Sequence, residues 1–499
     1  MVNRYIAKEK QGAWLIIKIL IATSVFLLIC SRASSMILKT YGDDSDIFVM
    51  LGKLTKDGMV PYKEFFDHKG PFIILVEYLA FLLPNYKVGL FVIELLFIAA
   101  TLMAEYNIFK LYFNENKSCI FTIVSLFVLN IYYQGGNFTE EYCLPFLMWS
   151  TFFFVKYSNR KNKKNVEHNL GYAFFYGITF TVCALTRITN ALPLCAIILV
   201  LFVYVLFEKR YDIILKNILW FALGILVSLT PFVIYFIAKG ALKDAIYATF
   251  IFNFRYAKAS TNEKYLLKEQ IKTIVYLIPI VTVFLVSCFK KNKLKTKNIL
   301  SICMVVMSVF AIALQISGQP YRHYLIIWLP LLCIGVCIVD LKSIKYRMYR
   351  YVLMLFLIIS SCIVIGKNVS VLADSCNLVT KNEEQDYAKY VNDLKEKIPG
   401  DKLDRVIAYN VLAKFYIISD IKPCYKYCIL QDWQCSHDSE MTLEFEKMIK
   451  SLKAQYIVIT RDSINAYDGY INQHYHQKYE NKYFELLEIN YNTNYVKGR

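Results

Sequence analysis

Residues 41–71 read YGDDSDIFVMLGKLTKDGMVPYKEFFDHKGP. The stretch holds Asp43, Asp44, Asp46, Asp57, Glu64 and Asp67, six of the 20 acidic residues that precede residue 367. Before it lies an apolar run over 13–33, long enough to cross a bilayer. After it lies PFIILVEYLAFLL, Pro71 to Leu83, which is apolar but too short to cross at 13 residues. The stretch is therefore a carboxylate-dense loop between a membrane anchor and a helix expected to lie at, or dip into, the same surface. Acidic residues contribute little to topology, so such density points to chemistry as well as to a solvated loop. A carboxylate beside the membrane can act as general base toward an acceptor hydroxyl, or hold a divalent cation such as Mg2+ or Mn2+. Which metal, if any, is unspecified.

The rest of the chain supports a membrane setting. Of 499 residues 57% are hydrophobic and 19% charged, against roughly 45–50% and 25% in soluble domains, and the mean hydropathy is +0.39. These values exclude a soluble enzyme, and 18 Gly with 11 Pro exclude collagen-like and low-complexity chains. Apolar runs fall near 13–33, 87–112, 118–133, 143–157, 170–186, 189–207, 217–238, 271–289, 299–316, 324–339 and 351–366. Short basic clusters separate them: Arg4, Lys8 and Lys10; 156–164; Lys209, Arg210 and Lys216; 290–297; and 342–350. Eleven spans put all these clusters on the cytoplasmic side, where Lys and Arg accumulate. The expected arrangement is a multi-pass protein of the cell membrane with a cytoplasmic N-terminus and an extracytoplasmic C-terminal domain. The first run has no small-residue cleavage site and reads as a retained anchor. The basic residues are scattered between spans, so nucleic acid is not an expected partner.

From residue 367 onward 18 Lys and Arg meet 19 Asp and Glu, while residues 1–366 carry the whole basic excess. The expected division is a membrane domain, 1–366, and an α/β domain, 367–499. In the tail, helical spacing covers Glu383–Lys397, 412–419 and 441–452, and strands are expected at 405–409 and 455–460. Tyr483–Ile489 and Asn492–Lys497 are a candidate pair of further strands. Ten of 14 cysteines lie in or beside apolar runs. Cys376, Cys424, Cys428 and Cys435 remain; their spacing does not match a zinc site, and disulfide pairing among them stays open.

Other polar groups fall on the outer side of this topology. The second outer loop, GGNFTEEYCLP over 135–145, carries Glu140 and Glu141. His68 and Lys69 open the surface helix, Arg187 separates two closely spaced spans, and Arg322 lies in GQPYRHYLIIWLP beside Tyr321, His323 and Tyr324. Each alone reads as an interfacial anchor; two or three together would make a phosphate-sized basic site. Glu77 and Glu94 lie within apolar helices, where acids are functional candidates.

These motifs resemble the GT-C glycosyltransferase superfamily, in particular lipid-linked-sugar transferases similar to protein O-mannosyltransferases and the aminoarabinose lipid A transferase. Asp44-Ser45-Asp46-Ile47-Phe48, Gly58-Met59-Val60-Pro61-Tyr62 and Asp67-His68-Lys69-Gly70-Pro71 follow the order of that family's first-loop motifs. Ser45 stands where the family usually has Glu, with Asp46 as the substitute acid. GGNFTEEY and RHYLIIWLP resemble two later motifs. The resemblance implies an all-α polytopic GT-C membrane domain of about 11 spans with a small extracytoplasmic α/β domain. It implies inverting transfer of a sugar from a polyprenyl-phosphate donor to a glycan, lipid or protein acceptor of the cell envelope. Asp44, Asp46 and Glu140 are the implied catalytic acids. Lys69, His68, Arg187, Arg322, Tyr324 and Glu141 are the implied substrate-binding set. A transporter or flippase of a lipid-linked glycan is the alternative, although no internal repeat of the kind common in transporters is visible.

Overall fold

Among the described residues each of the eleven apolar runs carries a helix. The structure, a computed structural model, describes residues 2–38, 43–160, 167–260, 267–289, 299–317, 321–338, 347–380 and 383–490. Tyr41, Gly42, Lys161, Lys163, Lys164, the basic cluster at 290–297, Lys342, Lys345 and the expected strand at 492–497 lie outside the described residues.

In chain order the helices are α1 (Val2–Cys30), α2 (Asp43–Lys56), α3 (Pro71–Ala80), α4 (Tyr86–Lys110), α5 (Glu115–Tyr133), α6 (Thr139–Ser158), α7 (Leu170–Ala184), α8 (Leu192–Phe207) and α9 (Tyr211–Ala238). There follow α10 (Leu242–Ile246), α11 (Phe252–Ser260), α12 (Leu267–Phe289), α13 (Ile299–Ser317), α14 (Leu329–Ile338, entered through a 3-10 turn over Arg322–Trp328) and α15 (Arg347–Thr380). Among the described residues seven of these are long and apolar enough to cross a membrane: α1, α4, α5, α8, α9, α13 and α15. Helices α9 and α15 leave Ile218, Leu226, Ile234, Leu355, Ile358 and Ile365 exposed. Apolar faces this broad are solvated by lipid, not water, and the chain is a multi-pass membrane protein.

Two units emerge. The first comprises Met1–Leu38, Lys87–Tyr235 and Glu263–Val379, the second Lys39–Tyr86, Phe236–Asn262 and Thr380–Arg499. The expected boundary at 366/367 falls inside α15, which continues as helix to Thr380. In unit 1, α7 and α9 approach closely through paired glycines. A Cβ at Gly177 would lie 2.1 Å from the Phe221 carbonyl oxygen, and one at Gly224 2.1 Å from that of Phe174. Small residues allow membrane helices to pack backbone to backbone in this way.

In unit 2, α3 buries Pro71, Ile73, Ile74, Val76, Glu77 and Ala80 and packs on α2, with Gly52 against Glu77. Its tail portion continues with α16 (Glu383–Lys395), β1 (Val406–Tyr409), α17 (Lys414–Ser419), α18 (Gln431–Ser436), α19 (Ser439–Lys450), β2 (Tyr456–Thr460), α20 (Asp468–His474), β3 (Tyr475–Glu480) and β4 (Phe484–Ile489). The sheet order is β1-β2-β4-β3. Strands β1 and β2 are parallel, with Val406 opposite Tyr456, and the other pairs are antiparallel. The connection from β1 to β2 carries α19, whose Met441, Phe445 and Ile449 form the buried stripe. The partner of β4 on its outer side is β3, YHQKYE, which sequence reading missed; its one-in, mostly-exposed pattern hides the period of two. All fourteen cysteines are free.

Candidate active site

The acidic first loop belongs to unit 2, and its shape follows from local chemistry. Helix α2 opens with Asp44 in its first turn, where the helix dipole favours a carboxylate. It closes at Gly58, φ +92°, with the N–H of Gly58 on Thr55 O and that of Met59 on Leu54 O. That 5→2 and 6→1 pattern is a Schellman ending, which needs a residue free to adopt positive φ. Asp44, in the first turn, is exposed, whereas Ser45 and Asp46 are buried. Of the two acids at the motif, only Asp44 is open to a substrate.

Pro71 supplies the N-terminus of α3, with Gly70 extended before it. Asp67 turns the chain into it: its Oδ1 accepts the Lys69 N–H at 2.7 Å. The Tyr62 hydroxyl donates to Lys69 O at 2.7 Å, and Lys69 Nζ lies 2.8 Å from His68 Nε2. Burial pushes the Asp67 carboxyl above its ordinary range, opposed by the Lys69 charge and the Lys69 N–H, with Asp44 raising it further. The ring of His68 sits among Phe252, Tyr256 and Trp433, with centroids 5.7 to 6.0 Å away. Trp433 in turn packs on Tyr256 and His437. This half-buried aromatic cluster beside Lys69 was not visible as a unit in the sequence, because its members come from three separate segments.

Unit 1 carries a second constellation. Gln134, Gly135, Gly136 and Asn137 all have positive φ, so the second loop coils tightly. A Cβ at Gly136 would strike the Tyr133 ring, with the hydroxyl oxygen 2.2 Å away. The coil delivers Glu140 and Glu141 to the first turn of α6, both buried. Glu140 Oε1 accepts from Arg187 Nη1 at 3.3 Å and its Oε2 from the Thr139 hydroxyl at 3.0 Å. The Arg187 guanidinium lies 3.5 Å from the centre of the Tyr324 ring. Three residues expected at the site therefore meet. Glu141 has a different position: its Oε2 accepts the Asn137 N–H at 2.8 Å, so it shapes the loop. The loop is tied to the 3-10 turn by Gln134 Oε1, which accepts the His323 N–H at 2.9 Å, and by Phe138 stacked on His323 at 4.1 Å.

Arg322 donates to the Tyr276 hydroxyl at 3.1 Å, while its Nε is buried without a hydrogen-bond partner among the described residues. Lys367 lies within electrostatic reach of both Arg322 and Arg32, and of Asp374. Arg32 and Lys367 were not expected here. Glu94 is fully buried and accepts from the Ser31 and Ser34 hydroxyls. Among the described residues no three His, Cys, Asp or Glu side chains converge as a protein-built cation site requires. No step below runs through a metal.

A family model, the competence-induced protein Ccs4 N-terminal domain, matches residues 10–366. The chain belongs to the Ccs4 family. No curated protein matches it in sequence. Among solved structures this Ccs4-type chain is similar to ArnT from Cupriavidus metallidurans in the apo state, with TM-score 0.59 and 12% identity, over 96% of this chain and 98% of that one. It is similar to the same protein bound to undecaprenyl phosphate, with TM-score 0.57 and 13% identity, over 95% and 98%. It is also similar to the oligosaccharyltransferase AglB from Archaeoglobus fulgidus in complex with an inhibitory peptide and a dolichol-phosphate, with TM-score 0.50 and 12% identity, over 90% and 70%. These likenesses show the fold: the Ccs4-type chain has the GT-C glycosyltransferase fold.

Proposed function

We propose that this protein transfers a sugar from a polyprenyl-phosphate carrier to an acceptor hydroxyl on the outer side of the membrane, with inversion. The observation that carries the reading is the gathering of Arg322, Lys367 and Arg32 within a unit of apolar helices. Three cations against one acid, Asp374, leave a net positive charge that favours an anion, and the GT-C neighbours include one described with undecaprenyl phosphate. In this reading Arg322 of unit 1 holds the carrier phosphate, with Lys367 and Arg32 adding to the field, and Lys69 and His68 of unit 2 are further substrate-binding residues. Glu140, Arg187 and Tyr324 form a fixed polar wall, and Glu141 holds the loop that presents it. Asp44 accepts the proton of the acceptor hydroxyl as its oxygen attacks the anomeric carbon. The bond from that carbon to the phosphate oxygen breaks, and the electron pair leaves with the phosphate, where the cations stabilise the developing charge. Asp46, buried two residues further along α2, supports the helix turn that positions Asp44. The N-terminus is cytoplasmic and the tail domain extracytoplasmic, with a cell-envelope glycan, lipid or protein as acceptor.

The test is incubation of purified protein with a panel of polyprenyl-phosphate sugars, reading release of polyprenyl phosphate. Arg322→Ala and Lys367→Ala are each expected to weaken donor binding by about 1.5–3 kcal/mol, the cost of removing a charged partner from a partly desolvated phosphate. No release from any donor, or unchanged donor affinity in both variants, would overturn the reading.

A further inference from the structure

Two buried carboxylates of unit 1 meet at the second outer loop. Glu94, on α4, is 0% exposed, and Glu141, in the first turn of α6, is 1% exposed. They draw on the same donors. The Tyr133 hydroxyl lies 3.5 Å from Glu94 Oε1 and also hydrogen-bonds Glu141. The Asn137 N–H lies 2.8 Å from Glu141 Oε2 and also hydrogen-bonds Glu94. The other donors are neutral: the Ser31 hydroxyl at 3.1 Å and the Ser34 hydroxyl on Glu94, and the Phe138 N–H on Glu141.

This donor set does not satisfy two ionised carboxylates. A hydroxyl has one hydrogen to give, so Tyr133 serves one carboxylate and offers only lone pairs to the other acid. Glu141 Oε1 has no hydrogen-bond partner among the described residues. The cations around the loop are placed elsewhere. Arg187 pairs with Glu140 at 3.3 Å, and the Arg32 stem lies against Gly135. The other titratable groups facing the loop are His323, whose Nδ1 is 3.2 Å from Gln134 Oε1, and Cys30, which faces Tyr133. Two buried like charges without a cation between them do not both persist, and one acid keeps its proton.

The pair is also what holds the loop. Gln134, Gly135, Gly136 and Asn137 all have positive φ, and Gln134 and Asn137 adopt that backbone at a cost that contacts must offset. The bond from the Asn137 N–H to Glu141 is one such contact. Burial, and then the Glu94 charge, push the Glu141 carboxyl well up. The coiled loop therefore keeps a proton that a released loop gives up. Its stability is full below the ordinary value of 4.5 and is lost as pH rises through the raised one. This linkage is an equilibrium property, so it needs no open channel: the proton exchanges when the loop opens.

We propose that Glu94 and Glu141 share one proton and form a pH-sensitive latch: with the proton in place residues 134–138 stay coiled, and its loss as pH rises frees the coil and the first turn of α6 that carries Glu140. The latch stands whether or not the sugar-transfer reading holds.

The test uses the full chain in detergent micelles. Amide exchange of the 134–142 segment is read by mass spectrometry from about pH 5 to about pH 9 and corrected for the intrinsic rate. In wild type, one extra proton in the coiled state should raise the released fraction by up to roughly tenfold per pH unit across the interval. Glu94→Gln places a neutral amide where a protonated acid can stand, so it should flatten the profile and keep the segment protected, and Glu141→Gln should flatten it likewise. His323→Asn should leave the slope in place, which separates the imidazole from the acids. Wild type alone supplies a second readout: an infrared carbonyl band of a protonated carboxylic acid should fade in step with protection. A flat wild-type profile, an unchanged slope in both Gln variants, a slope that disappears in His323→Asn, or the absence of a carbonyl band that titrates with protection each overturns the proposal.

Discussion

Replacing Arg187 by Ala tests whether the outer end of unit 1 is organised around a buried ion pair. Glu140 has a side chain 2% exposed, with Arg187 Nη1 at 3.3 Å and the Thr139 hydroxyl at 3.0 Å as its partners. At an effective dielectric constant near 20 the gross attraction at this distance is on the order of 5 kcal/mol. Removing one partner of a buried pair costs about 3–5 kcal/mol, because it leaves an uncompensated charge. Arg187 is 24% exposed, so part of the field is already screened by solvent, and the lower end, about 3 kcal/mol, applies. Loss of the stacking on Tyr324 is included in that figure. Most of the cost is the orphaned Glu140 carboxylate, not the lost attraction, so adding Glu140→Gln should restore about 2 kcal/mol. The assay is denaturant unfolding in detergent micelles followed by tryptophan fluorescence, for wild type, both single variants and the double variant. If Arg187→Ala falls within 0.5 kcal/mol of wild type, by the same order-of-magnitude scale, or the double variant is no more stable than Arg187→Ala, the reasoning is wrong.

Asp44→Asn should lower kcat by about 10²–10⁴ with donor affinity nearly unchanged, because the loss of a general base falls on the transition state; wild-type turnover would move the base to another acid. Gly52→Ala should destabilise unit 2 by about 1–3 kcal/mol, since a Cβ there would sit 2.4 Å from Glu77 Cβ and 2.7 Å from its carbonyl carbon; an unchanged unfolding midpoint would contradict the close α2–α3 approach. The raised carboxyl of Asp67 sets a pH dependence. The folded state holds that proton more tightly than the unfolded chain, so the contribution is full below the ordinary value of 3.8 and is lost as pH rises through the raised one. Asp67→Asn should therefore gain stability relative to wild type across that interval, and a relative loss in unfolding scans taken from pH 4 upward would reverse the assignment.

Helix positions in unit 1 were legible because bilayer thickness imposes a length on apolar runs that soluble folds lack. The ends were less so. Helix α15 runs past the apolar run that ends at 366 and on to Thr380, since a helix already nucleated in the membrane propagates into a more polar segment at little cost. The tail strands β1, β2 and β4 were readable from β-branched runs such as YIVIT. Strand β3 was not: at the sheet edge only Tyr475 is buried, and the remaining residues carry no alternation to read.

The cations of the candidate site show where sequence reading stopped and what would have carried it further. Arg187 and Arg322 were noticed because they interrupt apolar text. Arg32 and Lys367 were passed over because each stands at the edge of an apolar run, where a basic residue looks like an ordinary interfacial anchor. Yet with the proposed orientation both lie at outer ends, the side that Lys and Arg avoid. A basic residue placed against the topological bias has a cost in insertion, and a compensating reason is to be sought in the folded protein. Here the reason is mutual placement: Lys367 shares its surroundings with Arg322 and Arg32 against the single acid Asp374, a grouping whose net positive charge an added anion would relieve. Repulsion among like charges is unfavourable for stability, so the cluster argues for a ligand more strongly than any one of its members. The same logic separates the two ends of the helices. Lys209, Arg210 and Lys216 follow the bias and need no ligand to explain them, whereas the outer cations do.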